Sequence, residues 1–341
     1  MNYILKKDID AFAQSFDLKE SLSGSKFLIT GATGLIGSTL VRCLLAIDGD
    51  INIVCPVRNK KKAETMFGNV CNHLTLVECD LVSFLRSLSG NDYFDYIIHC
   101  ASPTAGKYMV EHPVETYELA YESTQALLRH SMEIKAKGMV LLSSLEYYGQ
   151  NMTDQLISED LQGYISPDEE RSSYPLGKRA AEYLCTAYAK EYGVNAKIAR
   201  LTQTFGAGVS LDDNRVFAQF ARSVINNSDI ILHTSGESAK PYCYTTDAIS
   251  AILYILLKGE NGEAYNVANE DTYISIKDLA YFIRDNFNDK INVKIELNSN
   301  MGYAPTSKLN LSTKKLKGLG WSPKFGLKDM FSNLINSIRT S

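Results

Sequence analysis

The chain has 341 residues, of which 45% are hydrophobic, and a formal net charge of −4. This length and composition suffice for one large α/β core, or for one core with a smaller lobe. The negative charge provides no net positive field for nucleic acid, and no apolar run has the roughly eighteen residues of a membrane span, so we expect neither nucleic acid nor a membrane as a partner.

The cysteines are scattered along the chain without a CxxC pair, and several lie within apolar segments. Such usage is typical of a reducing compartment, where thiols serve as small core residues, and we expect a cytoplasmic protein. No metal site is expected. The seven residues are Cys43, Cys55, Cys71, Cys79, Cys100, Cys185 and Cys243.

Residues 1–24 are predicted to form a helical lead-in that ends at the turn SLSGS. From there to about residue 203, short β-branched segments alternate with segments of helical spacing. Strand and helix in repeated alternation predict an α/β fold with a doubly wound parallel sheet. The predicted strands cover residues 26–30, 51–57, 74–79, 95–100, 138–144 and 195–201.

After about residue 203 the alternation loosens, and turn-rich stretches such as SGESAKPYCY separate shorter elements. This change predicts a smaller C-terminal lobe. We expect residues 1–202 to form mainly the domain with the parallel sheet and residues 203–341 mainly the second lobe. Part of the chain, about 241–270, is expected to return to the first domain.

Three glycines, Gly31, Gly34 and Gly37, follow the first predicted strand and open a predicted helix. A tight turn, the approach of a pyrophosphate and close packing of helix on strand each require a residue without a Cβ atom. The free amides of the helix start would then face the phosphates. The loop therefore predicts a dinucleotide site, the alternative being a plain structural turn.

Tyr174 and Lys178 are four residues apart in a predicted helix, so their side chains project from one face. A phenol needs a neighbouring cation to exchange a proton near neutral pH, and Lys178 can supply it. Ser144, at the end of the strand 138–144, can bind the oxygen of a reacting carbonyl. With 20 tyrosines in the chain, a chance pair is the alternative.

In these motifs the chain resembles the extended short-chain dehydrogenase/reductases of the NAD-dependent epimerase/dehydratase family, which act on nucleotide sugars. Epimerases, 4,6-dehydratases, UDP-glucuronate decarboxylases and ketoreductases belong to this family. The resemblance covers nearly the whole length. It is carried by TGATGLIGS (30–38), ECDL (78–81), HCAS (99–102), SSLEYYG (143–149) and YPLGKRAAE (174–182).

The resemblance implies a Rossmann domain with a smaller substrate-binding lobe, and it implies roles for single residues. Tyr174 would exchange the proton, Lys178 would lower the pKa of the tyrosine and hold the ribose, and Ser144 would bind the carbonyl oxygen. The residues implied in cofactor binding are Gly31, Thr33, Gly34, Leu35, Ile36, Gly37, Asp80, Leu81, Cys100, Ala101, Ser102, Tyr174 and Lys178.

The chain departs from the family pattern at several positions. The acid and base that follow the serine or threonine in dehydratases are matched by Leu145 and Glu146, so the acid is missing. Glu146 is expected to act as a base or to hold a sugar hydroxyl, unless backbone amides merely satisfy its carboxylate. Ala120 replaces an asparagine of the helix after HCAS, and Gln203 replaces an asparagine with an amide one methylene longer.

On the substrate side, Lys240 stands where the family places an arginine that binds the nucleotide diphosphate. It keeps the charge but not the planar fork of a guanidinium. Arg215 resembles a second basic residue of this region. With Gln203, both are predicted to bind substrate, the alternative for each charge being a solvated surface position.

Arg58 follows the second predicted strand, about twenty residues beyond the glycine loop, where an acid would indicate NAD and an arginine NADP. Arg58 therefore favours NADP(H), with NAD(H) possible, and it favours a net ketoreductase acting on a nucleotide-linked sugar. The alternatives are an internal-redox epimerase, decarboxylase or dehydratase, and a dinucleotide sensor without turnover. We expect a homodimer.

Overall fold

The computed structural model describes residues 1–68, 72–103, 105–298 and 306–340. Cys71 lies outside the described residues. The other cysteines are free thiols, of which Cys79 and Cys100 are partly exposed and the rest are buried.

The strands, in chain order, are β1 (Lys26–Thr30), β2 (Asn52–Val57), β3 (Leu74–Glu78), β4 (Tyr96–His99), β5 (Gly138–Ser144), β6 (Met152–Ile157), β7 (Ala196–Leu201), β8 (Gln203–Phe205), β9 (Ile230–Leu232), β10 (Ala239–Tyr244), β11 (Ala264–Val267), β12 (Asn269–Ser275), β13 (Val293–Ile295) and β14 (Lys308–Leu311).

The helices are α1 (Tyr3–Ser15), α2 (Leu35–Ala46), α3 (Lys60–Phe67), α4 (Leu81–Ser87), α5 (Gly106–Glu111), α6 (Pro113–Ile134), α7 (Ser173–Tyr192), α8 (Val216–Asn226), α9 (Thr245–Lys258), α10 (Ile276–Phe287), α11 (Lys314–Lys317) and α12 (Leu327–Arg339). Single 3₁₀ turns cover Lys19–Leu22, Leu145–Tyr148 and Glu170–Ser172.

The centre of the fold is a parallel sheet of seven strands in the order β11-β7-β5-β4-β1-β2-β3. Its central strands are apolar on both faces because helices cover both sides. Helices α1, α2 and α9 contribute to the core on one face, and α4, α6 and α7 to the core on the other. The predicted α/β doubly wound fold is confirmed.

A second sheet has the order β12-β10-β14-β6, with β8 paired to β10, and β9 pairs with β13. Strand β11, from the segment 241–270, lies at the edge of the seven-stranded sheet, whereas β6, from before residue 203, joins the second sheet. The division of the chain near residue 202 stays a prediction.

Helix α1 packs against α2, α9 and α12. Asn2 caps it by accepting a hydrogen bond from the Leu5 amide at 2.8 Å, and its own amide donates to Ala207 O and Ser337 Oγ at 2.9 Å. The buried Asp8 accepts a hydrogen bond from the Tyr244 hydroxyl. The lead-in helix therefore connects the start of the chain to its end.

A search of the described residues for a helix that is both long and apolar enough to cross a bilayer finds none.

Candidate active site

The glycine loop connects β1 to α2 at the carboxyl edge of the seven-stranded sheet. Gly31 has a positive φ of 68°, and a Cβ atom on it would lie 2.6 Å from the amide nitrogen of Ala101. A Cβ atom on Gly37 would collide with the carbonyl oxygen of Gly31. These two glycines are therefore required by the fold itself, because the loop, the start of α2 and the end of β4 approach one another closely.

Gly34 differs from the other two glycines. The nearest atom to a Cβ placed on it is Gly31 O at 3.4 Å, which is ordinary contact, so the loop is open on this side. Gly34 is also the N-cap of α2 and provides no side-chain cap. The first amides of α2 are therefore available to an external acceptor, as an anion site at a helix start requires.

A buried chain of hydrogen bonds holds the segment after β4. The Ala101 amide donates to Thr30 Oγ1 at 3.2 Å, and Thr30 Oγ1 lies 2.6 Å from Nδ1 of His99. Nε2 of His99 lies 2.9 Å from Ser123 Oγ on α6, which donates to Leu119 O. Burial, with the charge of Lys178, lowers the pKa of His99 to about 3, so the ring is neutral. These hydrogen bonds hold Cys100, Ala101 and Ser102 beside the glycine loop.

Tyr174 and Lys178 lie side by side near the start of α7, with Nζ of Lys178 5.6 Å from the centroid of the Tyr174 ring. The lysine is buried, and its ammonium donates to Leu142 O at 2.8 Å. Burial lowers the pKa of Lys178 to about 8, against the opposing effect of Glu182 and Cys100. The two predicted catalytic side chains are therefore brought together.

Burial and the charge of Glu146 raise the pKa of Tyr174 to about 12, while the Ser144 hydroxyl, Arg171 and the Ser102 hydroxyl lower it. Both hydroxyls therefore lie beside the phenol. Ser102 Oγ is buried and has no hydrogen-bond partner among the described residues. Ser144 and Ser102 thus both lie near the phenol, and their predicted roles in carbonyl and cofactor binding stay predictions.

Arg171 is a site residue that the sequence analysis did not anticipate. It lies in the 3₁₀ turn before α7, its Nη2 donates to Glu146 Oε1 at 2.8 Å, and its guanidinium carbon is 5.8 Å from the centroid of the Tyr174 ring. Its Nη1 is buried without a partner in the described part of the chain. In the sequence, its position three residues before Tyr174 could have indicated that Arg171 belongs to the site.

Lys240 and Gln203 lie on neighbouring strands of the second sheet, where Gln203 pairs with Tyr242. The Lys240 ammonium makes no hydrogen bond or ion pair with any residue that the structure describes. Burial lowers the pKa of Lys240, and the charge of Glu146 opposes this, which places the ammonium within electrostatic reach of that carboxylate. A cation without a fixed partner is available to a substrate anion.

The guanidinium of Arg215, unlike the Lys240 ammonium, already has a partner and is less available to a substrate anion. It is the N-cap residue of α8, and its guanidinium forms a fork with the Asp213 carboxylate, with Nη2 2.6 Å from Oδ2. Its predicted role in substrate binding stays a prediction.

Ala120 lies where α6 meets α7, 3.1 Å from the position that a Cβ on Gly177 would take, so a larger side chain there would separate the two helices.

The end of β3 contributes a carboxylate that was not weighed from the sequence. Glu78 pairs with Val57 at the end of β2, and it accepts a hydrogen bond from the Lys60 amide at 3.0 Å. Arg58 is exposed beside it. Asp80 caps α4 by accepting from the Ser83 amide at 2.9 Å, which lowers the pKa of Asp80, and Leu81 is the first residue of that helix.

Residues 27–268 match the family model of the NAD dependent epimerase/dehydratase family. The chain belongs to this family. It is also 27% identical over 313 residues to UDP-glucuronic acid decarboxylase 5 of Arabidopsis thaliana, a match that covers 90% of this chain and 87% of that protein. The resemblance to nucleotide-sugar enzymes noted in the sequence is confirmed.

Two solved structures of the epimerase/dehydratase type share the fold. UDP-glucose 4-epimerase from Thermotoga maritima, solved with UDP-glucose, has a TM-score of 0.78 at 18% identity and covers 92% of this chain and 98% of its own. A dTDP-glucose 4,6-dehydratase from Streptomyces venezuelae, solved with NAD, has a TM-score of 0.75 at 20% identity, with 92% and 97% covered. Both likenesses therefore extend over nearly the whole chain.

The site of this epimerase/dehydratase family member fits a dinucleotide on structural grounds. Gly34 leaves space beside the loop, the first amides of α2 lack a cap, and the buried Ser102 hydroxyl lacks a partner among the described residues. Each of these features supplies an unmet donor or an open position where the cofactor is expected.

Proposed function

We propose that the chain is an internal-redox enzyme that acts on a nucleotide-linked sugar and recycles a bound NAD(H). The observation that carries this proposal is the convergence of Ser144, Tyr174 and Lys178 next to residues 100–102, which pack against the glycine loop at Gly31. A dinucleotide sensor would not require these three side chains together. The names of the relatives support the internal-redox reading over the net ketoreductase predicted from Arg58.

In this proposal Tyr174 takes the proton of a sugar hydroxyl as the carbon is oxidised, and it returns the proton when the carbonyl is reduced again. Ser144 donates a hydrogen bond to the oxygen in both directions. Lys178 holds the ribose and stabilises the phenolate. The cofactor, when bound, accepts the hydride and gives it back, so that no net oxidant is consumed.

Decarboxylation of a nucleotide-linked uronate is the reaction that the site supports best. Leu145 stands where a dehydratase has its acid, which argues against loss of a hydroxyl. Arg171 and Lys240 both lie near the carboxylate of Glu146. These three side chains together carry one excess positive charge, which a substrate carboxylate would balance. Once the neighbouring carbon is a ketone, the carbon–carbon bond to the carboxylate breaks, CO₂ leaves, and the electron pair of the bond enters an enolate that Ser144 and Tyr174 stabilise. A proton from solvent then adds to the carbon that lost CO₂, which restores the ketone before it is reduced.

The test is to incubate the purified protein with a nucleotide-linked uronate and, separately, with the corresponding neutral hexose, without added reductant. We expect the uronate product to lose the mass of CO₂ while no cofactor is consumed. An interconversion of epimers would support the other internal-redox reaction. Turnover that consumes one added NADPH per product would contradict the proposal and restore the net ketoreductase.

We expect the wild type to bind NAD at least tenfold more tightly than NADP, or about 1.4 kcal/mol. The reason is the Glu78 carboxylate beside the end of β2, which would repel a 2′-phosphate. Calorimetric titration of both cofactors measures the preference, and Glu78→Gln should narrow it. If the wild type instead prefers NADP and Arg58→Ala removes that preference, then the NADP preference predicted from Arg58 is right and the NAD preference inferred from Glu78 is wrong.

Lys240→Ala is expected to raise the KM for the nucleotide-linked substrate by at least about tenfold, because a charged contact to phosphate or carboxylate contributes roughly 1.5–3 kcal/mol. Affinity for the cofactor should change little. Lys308→Ala is the matched control, since Lys308 lies on the adjacent strand β14 and pairs with Asp154. Equal losses of cofactor and substrate affinity would mean that Lys240 supports the fold of the cleft.

A further inference from the structure

Helix α7 carries a third buried polar side chain in register with the catalytic pair. Tyr174, Lys178 and Glu182 are spaced by four residues, and Glu182 is only 4% exposed. The proposed reaction assigns no task to this carboxylate, and the inference that follows rests on that reaction.

Glu182 is bound on two sides by the strands that end at the site. The guanidinium of Arg200 on β7 reaches both of its oxygens, with Nη2 2.8 Å from Oε2 and Nε 3.2 Å from Oε1. Ser143 on β5 donates its hydroxyl to Oε1 and lies opposite Arg200 in the sheet register. Because Ser143 directly precedes Ser144, the carboxylate fixes the strand end that carries this catalytic hydroxyl.

Arg200 extends the same network to the turn that carries Glu146. Its Nη1 lies 3.1 Å from the hydroxyl of Tyr148 and 2.6 Å from Glu159 O, and its guanidinium carbon is 3.5 Å from the centroid of the Tyr147 ring. A buried ion pair of this kind stabilises a fold little compared with apolar side chains of similar size. Its presence beside the site therefore calls for a reason other than stability.

The charges around Lys178 supply that reason. His99 is neutral, and burial raises the pKa of the Cys100 thiol to about 12, so neither offers a negative charge near neutral pH. The Tyr174 phenol is also protonated. Glu182 is then the anion that opposes the effect of burial on Lys178. The groups that face Glu182 in turn are Lys178, Arg179, Arg200, Ser143 and Cys185.

We propose that Glu182 is a positioning residue: held by Arg200, its carboxylate keeps the Lys178 ammonium charged, and through Ser143 it fixes the strand end that bears Ser144. Burial raises the pKa of Glu182, and the Arg200 fork and the Ser143 hydroxyl oppose this shift. The contact of the Arg200 guanidinium with both carboxylate oxygens is the geometry of a charged ion pair. The charged lysine is the state that both the ribose contact and the support of a phenolate require.

The test is the affinity for NAD, measured by calorimetric titration between roughly pH 6 and pH 10, where lysines with a lowered pKa titrate. In the wild type, affinity should fall as Lys178 loses its proton. Glu182→Gln should move this fall to lower pH by about one unit or more, because the charged form of Lys178 loses its carboxylate. Glu182→Asp should restore most of the wild-type profile.

Since Glu182→Gln leaves Arg200 buried without its partner, a second variant is needed. The double variant Glu182→Leu with Arg200→Met removes both charges together. A fold often tolerates the replacement of a buried ion pair by apolar side chains of similar size, so this variant should fold and show the same shift. Asp95→Asn is the control: it removes a buried carboxylate bound to the Lys26 amide and to Lys137 at the opposite end of β4, and should leave the profile in place.

A pH profile that stays at its wild-type position in either folded variant overturns the proposal and leaves Glu182 a structural residue. This measurement uses no sugar substrate. A shifted profile in a protein that turns over no nucleotide sugar would therefore keep the role of Glu182 and reject the proposed function.

Discussion

Tyr174→Phe is expected to lower turnover by at least about 10²-fold, because it removes the group that exchanges a proton in the transition state. The fold and the affinity for NAD should stay close to those of the wild type, since the ring and its packing are retained. Turnover is measured under substrate saturation, and the Kd for NAD by titration.

Tyr183→Phe is the matched control for this change. Tyr183 lies on the same helix but is 72% exposed, so its hydroxyl should be dispensable. Turnover near the wild-type level in Tyr174→Phe would refute the assignment of this residue as acid and base. Activity in the wild type that the variant loses would also argue against a sensor without turnover.

The sequence predicts Glu146 as a base, so Glu146→Gln is expected to lower turnover by about 10²-fold or more, the usual contribution of a positioned acid or base. After burial, the charge of Glu146 is the largest cause that raises the pKa of Tyr174. Without that charge the phenol ionises at lower pH. The limb of the pH profile on which turnover rises with pH should therefore move to lower pH in the variant.

The control is Glu170→Gln, which removes an exposed carboxylate from the 3₁₀ turn that carries Arg171. It should leave both turnover and the pH profile unchanged. A Glu146→Gln variant with lower turnover but an unmoved profile would mean that Glu146 serves only to hold Arg171.

The sequence was informative where local pattern decides structure. The alternation of apolar strands and amphipathic helices predicts the parallel sheet, and the spacing of Gly31, Gly34 and Gly37 predicts a loop whose close contacts the structure shows. The placement of Tyr174 and Lys178 on one helix face follows from helical periodicity, whereas their roles are implied by the resemblance to the family. These features depend on neighbours within a few residues.

What the sequence could not provide depends on partners that are distant along the chain. Glu78 became relevant because β3 pairs with β2, and Arg171 because its turn packs against Glu146, 25 residues earlier. The opposite case is Arg215, whose partner Asp213 is only two residues away, so that this ion pair is local in sequence. Charged side chains have several possible partners, and only the fold selects among them.

The N-terminal helix has a consequence for synthesis of the chain. Helix α1 leaves the ribosome well before α12, but Asn2 bonds to Ser337, 335 residues later along the chain. Until then, the apolar face formed by Leu5, Ile9 and Phe12 can pack only against elements already made, such as α2. Since domains tend to fold as they are synthesised, the parallel sheet can form early, whereas helix α1 reaches its final position only after α12 has been synthesised.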